Sequence, residues 1–208
     1  MKYSAKLSVI VPIYGVEQYI EKCARSLFDQ TLSDIEYIFV DDSSPDNSIK
    51  ILESIIEEYP ERKGNTKIIR HNNNKGLPTA RKSGVKIAKG EYIIHCDSDD
   101  WVDLNLYEQM YETAKQNESD LVICNCKNTD GINYTITPGG HKYNVSDCIC
   151  DMFHRKMWWS LCNKMFKSTL YDNRLIYPED AMGEDMCLCL QLMKNVKNIS
   201  YISDLYYN

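Results

Sequence analysis

The chain has 208 residues, 43% of them apolar and 26% charged, with 9 Gly and 6 Pro. Such proportions exclude a disordered, collagenous or low-complexity chain, and a chain of this length buries about 70% of its unfolded surface in a core of its own. The net charge of −6 excludes a protein that lives on non-specific nucleic-acid phosphate contacts, which need a basic footprint.

Residues 7–14, LSVIVPIY, are an apolar, β-branched run that reads as a strand, and residues 17–29 then place Tyr19, Ile20, Cys23, Leu27 and Phe28 at helical spacing. IEYIFV (35–40) is a second strand. Ser44-Pro45-Asp46 predicts the start of the next helix, with a cap, a proline at the first helical position and an acid in the first turn. Ile49, Leu52, Ile55 and Ile56 form its buried stripe. TKIIRH (66–71) is a third strand, Leu77-Pro78 opens a helix that Gly90 is expected to stop, and EYIIHC (91–96) is a fourth strand. A helix over 104–117 and a fifth strand, DLVICNC (120–126), follow. This alternation implies an α/β fold with a largely parallel sheet covered on both faces.

After about residue 127 the rhythm fails. Residues 127–143, with Thr137-Pro138-Gly139-Gly140, read as a polar hairpin or loop; 144–156 and 184–195 read as helices; 198–203, NISYIS, reads as a short strand; 158–167 gives no assignment. The organisation expected is a nucleotide-binding-like half, 1–126, and an irregular half, 127–208.

The 9 cysteines include three C-x-C pairs (124/126, 148/150 and 187/189) in place of the C-x-x-C of zinc sites. Reduced cysteines used as small core residues of a cytosolic protein are the expectation, and the sequons at Asn133, Asn144 and Asn198 then carry no meaning. No apolar run approaches the roughly 20 residues of a membrane span, and MKYSAK lacks a small-residue cleavage site. A cytoplasmic location, peripheral at the inner membrane face where there is contact, is expected.

In open parallel sheets ligands bind beyond the carboxyl ends of the strands. Those positions hold Pro12-Ile13-Tyr14-Gly15, Asp41-Asp42-Ser43-Ser44, Asn72-Asn73-Asn74-Lys75-Gly76 and Asp97-Ser98-Asp99-Asp100. Three carboxylates in four residues repel one another unless a cation or strong donors sit among them. Magnesium or manganese, which share one or two carboxylates with substrate phosphates, would suit Asp97–Asp100; a helix cap near Leu104 is the structural alternative. Asp41-Asp42 either caps a helix or offers an acceptor carboxylate to a base or ribose. Lys75 and Arg81 flank a helix start that favours anions, or belong to a solvated face. Glu184-Asp185 opens an apolar helix, where the macrodipole alone accounts for an acidic pair; a general base is the functional account. His154-Arg155-Lys156-Met157-Trp158-Trp159 could meet a membrane surface, wall a sugar or lipid acceptor site, or pack one half on the other. His71, His95, His141 and His154 show no ligand-like spacing. Neither G-x-x-x-x-G-K-[ST] nor G-x-G-x-x-G is present, which excludes a P-loop hydrolase and an ordinary NAD-binding domain.

LSVIVPIYGVEQYIEKCARSLFDQTLSDIEYIFVDDSSPDNS closely resembles the opening of the inverting nucleotide-sugar glycosyltransferases of family 2, and NKGLPTARKSGVKIAKGEYIIHCDSDDW continues the likeness through that family's Asp-x-Asp. GEDMCLCLQL is similar to its acidic helix start and NKMFK to its Lys-aromatic segment. The resemblance implies a GT-A fold, with 1–126 as the nucleotide-sugar-binding half and 127–208 as the acceptor-binding and catalytic-base half of the same domain. It implies a nucleoside-diphosphate sugar donor, with uridine the base, a saccharide or lipid-linked saccharide acceptor, and Mn2+ or Mg2+. Carried over by motif, Pro12, Tyr14 and Asp42 line the base and ribose pocket, Arg81 lies near the nucleotide, Asp97 contacts ribose or sugar, and Asp99 binds the metal. Asp185 becomes the general base and Glu184 orients it or the acceptor; Lys75 and Lys164 come over with their segments. Family members often carry Gly where this chain has Ser43, so a shifted backbone is expected there. An inactive binding or scaffold module remains an alternative, which the retained acids oppose. A sugar nucleotidyltransferase is a second, opposed by the missing glycine-rich, basic triphosphate loop.

Overall fold

The computed structural model describes residues 3–129, 134–137, 144–179 and 182–208; Asn133, Pro138-Gly139-Gly140 and His141 lie outside the described residues. The chain runs β1 (Ala5–Ile13), α1 (Ile20–Phe28), β2 (Ile35–Asp41), α2 (Ser48–Glu58), α3 (Pro60–Lys63), β3 (Thr66–Arg70), α4 (Leu77–Ile87), β4 (Gly90–His95), α5 (Leu106–Gln116) and β5 (Leu121–Thr129). It continues through β6 (Tyr134–Thr137), α6 (Val145–Phe153), β7 (Lys164–Lys167), a 3-10 turn (Ser168–Leu170), α7 (Glu184–Met193) and β8 (Ile199–Tyr207).

The described strands form one mostly parallel sheet in the order β3-β2-β1-β4-β7-β5-β6, with β8 also paired to β5. β1 is parallel to β2 and β4, β2 to β3, and β5 to β8. β7 runs antiparallel between β4 and β5, and β6 antiparallel on β5. The fifth predicted strand therefore does not sit beside the fourth: the unassigned stretch 158–167 supplies the strand that separates them. β1 and β2 are interior strands, and β2 is buried along its whole length, which is why both are predominantly apolar. One face packs on α1, α2 and α5 through residues such as Leu27, Leu52 and Met110; Ile10, Ile38 and Ala80 form the core under α4 on the other. A third cluster gathers Leu121, Ile123 and Phe166 with the apolar faces of α6 and α7.

Two helix limits differ from the sequence reading. α2 begins at Ser48, because Asp46 is occupied in a turn: its carboxylate accepts from Ser44 Oγ at 2.7 Å, Ser48 N at 3.0 Å and Glu17 N at 2.9 Å. α4 ends at Ile87, before Gly90, which is the first residue of β4. A Cβ at Gly90 would stand 2.5 Å from the Ser8 backbone nitrogen, so close strand approach is what requires glycine there.

Seven of the nine cysteines are buried and all are free thiols, the core role expected of them. Asn144 caps α6 by accepting from Asp147 N at 2.9 Å. Among the described residues no helix is long and apolar enough to cross a membrane.

Candidate active site

The carboxyl ends of β1, β2, β3 and β4 open on a cavity of about 410 Å³ whose lining includes Pro12, Tyr14, Asp42, Asp97 and Asp99. Five of the residues singled out from the sequence are thus brought together. Asp42 is buried, and its carboxylate accepts from Lys75 N at 2.9 Å and Gly76 N at 2.8 Å and faces His71 Nδ1 at 2.7 Å. It ties the loop after β3 to the end of β2, and so shapes the cavity as well as lining it. Lys75 contributes through its backbone; its side chain is exposed and outside the lining. Ser43 adopts φ 63°. This is the left-handed region that glycine accommodates freely, and serine bears a penalty of about 1 kcal/mol for it.

Asp97 is held from several sides. Arg81 Nη2 donates to its Oδ1 at 3.0 Å and the Cys162 thiol to its Oδ2 at 3.1 Å, while its own N–H donates to the Tyr207 hydroxyl at 2.9 Å. The Cys96 and Cys23 thiols reach its carbonyl oxygen at 3.5 and 3.6 Å. Burial pushes the Asp97 carboxyl up, against the pull of Arg81. Burial also raises Asp100 to about 6, opposed by the Tyr207 hydroxyl and reinforced by Asp97 and Asp99. Asp99 is exposed and, among the described residues, has no hydrogen-bond or ion-pair partner. No preformed cluster of three or more metal-holding side chains exists among the described residues. One free carboxylate beside two others suits a hard cation that completes its shell with phosphate oxygens and water, so the residues present fit Mn2+ or Mg2+.

Arg81 lies behind this edge on α4, 1% exposed and outside the lining of the 410 Å³ cavity. Besides Asp97 it meets the start of α7: its Nε lies 2.9 Å from Glu184 Oε1 and its Nη2 3.3 Å from Asp185 Oδ1. These are charge contacts without directed hydrogen bonds, since both Glu184 oxygens and Asp185 Oδ1 have no hydrogen-bond partner among the described residues. Gly183 enters the helix at φ 78° and sets the pair in its first turn. Burial drives the Glu184 carboxyl up to about 8, with Asp185 adding and Arg81 opposing.

That shift has a signed consequence for stability. A carboxyl protonated more readily folded than unfolded favours the native state in acid; its contribution is full below about 4.5, its ordinary value, and is lost as pH rises through about 8. Glu184→Gln is therefore expected to raise the melting temperature at pH 8.5 relative to the parent and to change it little at pH 4. Thermal melts of both proteins across that range measure the difference, and a variant less stable at pH 8.5 would contradict it.

A second cavity, of about 500 Å³, lies on the other side of Asp97 and is lined by Asp97, Asp100, Asp185, Arg155, Trp158, Trp159 and Tyr207 among others. Trp159 packs edge-on against Phe153 with ring centroids 5.0 Å apart, and Trp158 is exposed. Asp97 is common to both cavities. His71, Cys162 and Tyr207 are site residues that the sequence reading did not select. His71 directly follows β3, a position that could have marked it. Cys162 and Tyr207 reach Asp97 across 65 and 110 residues, and no local pattern signals them.

A mostly parallel sheet flanked by helices, with an acidic loop at its carboxyl edge between two cavities, makes this an α/β fold whose candidate site lies at the strand ends. A family model described as Glycosyl transferase family 2 matches residues 8–178. Glycosyltransferase EpsJ of Bacillus subtilis is 31% identical over 210 residues, covering 97% of this chain and 60% of its own length. Poly(ribitol-phosphate) beta-glucosyltransferase of Bacillus spizizenii is 33% identical over 208 residues, covering 97% of this chain and 32% of its own. TarS 1–349 of S. aureus, solved in complex with UDP, superposes with a TM-score of 0.82 at 26% identity, over 97% of this chain and 59% of that one. The chain belongs to glycosyltransferase family 2, and its fold is GT-A. It spans 60% of the length of EpsJ and 32% of the B. spizizenii enzyme.

Proposed function

We propose that this chain transfers a sugar from a nucleoside-diphosphate donor, with uridine the base, to an acceptor hydroxyl with inversion, in the synthesis of a cell-surface polysaccharide or glycan. The observation that carries the reading is the Arg81 bridge: one buried guanidinium contacts Asp97 at the donor side and Asp185 at the opposite cavity. In this reading residues 1–126 bind the donor, with Pro12, Tyr14 and Asp42 around base and ribose and Asp97 at ribose or sugar. Residues 127–208 supply the acceptor wall and the base. The acceptor oxygen attacks the anomeric carbon from the face opposite the phosphate, its proton passes to Asp185, and the bond to phosphate breaks with the electron pair leaving on the nucleoside diphosphate. Bound at Asp99, Mn2+ or Mg2+ would supply Lewis-acid neutralisation of charge on the departing phosphate. Glu184 and Arg81 hold Asp185 in place. UDP in the TarS crystal and the likeness to the poly(ribitol-phosphate) beta-glucosyltransferase of B. spizizenii support the donor and the polysaccharide product. A saccharide or lipid-linked saccharide fits a cavity that offers both carboxylates and tryptophans.

The test is a thermal-shift panel of UDP-, GDP- and dTDP-sugars, each with Mn2+ and then with EDTA. A ligand at about 100 times its dissociation constant stabilises the folded state by roughly 2.7 kcal/mol. The expected result is a rise for UDP-sugars that EDTA abolishes. No rise with any donor would count against the reading, and pyrophosphate release from a nucleoside triphosphate would favour a nucleotidyltransferase.

A further inference from the structure

Lys164 is the first residue of β7 and is 0% exposed. Lysine is seldom enclosed unless paired, yet among the described residues Lys164 is in no ion pair. All three of its N–H donors go to neutral oxygens: Trp158 O at 2.8 Å, Ser160 O at 2.7 Å and Asn163 Oδ1 at 2.8 Å. An ammonium has three donors and no acceptor, so this one is saturated and has nothing left for a substrate. Its partners are carbonyls of the segment between α6 and β7, which would otherwise lack donors in a half-buried place. Charge-assisted bonds of this kind are about twice as strong as neutral ones. The anchor is itself tied down, because Asn163 Nδ2 donates to Cys124 O on β5 at 2.8 Å.

The segment so held, 158–160, contributes Trp158, Trp159 and Ser160 to the 500 Å³ cavity that also contains Asp185. The geometry points to Lys164 as the positioning residue of the acceptor wall, an internal cation that holds Trp158–Ser160 at a fixed distance from Asp185. That the cavity takes the acceptor rests on the function proposed above; that Lys164 holds the wall does not. Trp158 is 46% exposed and presents an apolar ring against which the C–H face of a saccharide can pack. A misplaced wall would therefore displace the hydroxyl from the base.

The chain contains 3 tryptophans, so in a Trp101→Phe background the emission comes from Trp158 and Trp159 alone. Lys164→Met in that background is expected to red-shift the emission and raise acrylamide quenching. The stabilisation by UDP with Mn2+ is expected to persist, and sugar transfer to fall by up to about 10²-fold, as small misplacements at a reacting centre do. Lys164→Gln, whose amide keeps two donors, is expected to raise quenching by a smaller amount, and it carries the comparison should Lys164→Met not fold. Emission and quenching equal to the parent in either variant would overturn the proposal. A parallel loss of the UDP effect would also overturn it, by making Lys164 a support of the whole domain. A parent protein that shows no UDP effect counts against the donor reading alone, and the fluorescence comparison still decides the role of Lys164.

Discussion

Asp185→Asn is expected to lower sugar transfer by about 10²–10⁴-fold, the usual contribution of a positioned general base, while binding of UDP with Mn2+ survives. The substitution keeps the shape of the side chain and removes its capacity to take a proton. Asp185 suits the role by place: its side chain is 27% exposed toward a cavity, Oδ1 has no hydrogen-bond partner among the described residues, and Arg81 Nη2 stands 3.3 Å away. The start of α7 adds the favourable end of a helix dipole. The other carboxylates lining that cavity, Asp97 and Asp100, are differently placed. Asp97 already accepts from Arg81 and Cys162, and Asp100 interacts with the Tyr207 hydroxyl. Sugar transfer measured beside the UDP-dependent thermal shift separates catalysis from donor binding. Transfer within a few-fold of the parent would remove Asp185 as the base, and loss of both readouts would show that the variant damages the donor side.

The parts of this site that are legible in sequence are those fixed by local rules. β1 to β5 announce themselves through apolar runs and helical spacing, and the topology of a parallel sheet then places Pro12, Asp42 and Asp97–Asp100 at one edge. What escapes is what distant segments decide. β7 is four residues long and begins with a buried lysine, so KMFK presents neither a clear alternation nor an apolar run, and its insertion between β4 and β5 follows from packing in the second half. Two of the partners of Asp97, Cys162 and Tyr207, come from the segment before β7 and the end of β8; each is an ordinary core residue type in its own stretch. Ser43 stands in the left-handed region at φ 63°, held in a turn where Gly15 N donates to Ser44 Oγ at 2.9 Å and Asp41 Oδ1 accepts from Ser44 N at 2.8 Å. Tertiary bonds outweigh about 1 kcal/mol of local preference.

Arg81→Met is expected to produce the largest loss of stability among single changes at this site. The guanidinium is buried and in contact with Asp97, Glu184 and Asp185, so its removal leaves three carboxylates facing one another without a counter-charge. Breaking a buried ion pair by deleting one partner costs about 3–5 kcal/mol. At about 2–4 °C per kcal/mol for a chain of this size, the melting temperature should fall by roughly 10 °C. The deficit should also depend on pH in a definite direction. Glu184 already sits at about 8 with Arg81 present. Without the cation it and its neighbours hold their protons more tightly in the folded chain than in the unfolded one, which favours the native state in acid. The difference from the parent should be widest above pH 8 and shrink toward pH 5, as protonation removes the repulsion. Arg81→Lys separates charge from geometry, because one ammonium cannot reproduce the planar fork that reaches Asp97 and Glu184 through different nitrogens. It should recover part of the stability but not the transfer rate, since Asp185 would no longer be set against Asp97 by a rigid group. Melting of Arg81→Met within 2 °C of the parent at pH 8.5, against the roughly 10 °C expected, would mean that water or a mobile cation neutralises the cluster, and the bridge between the two cavities would lose its structural role.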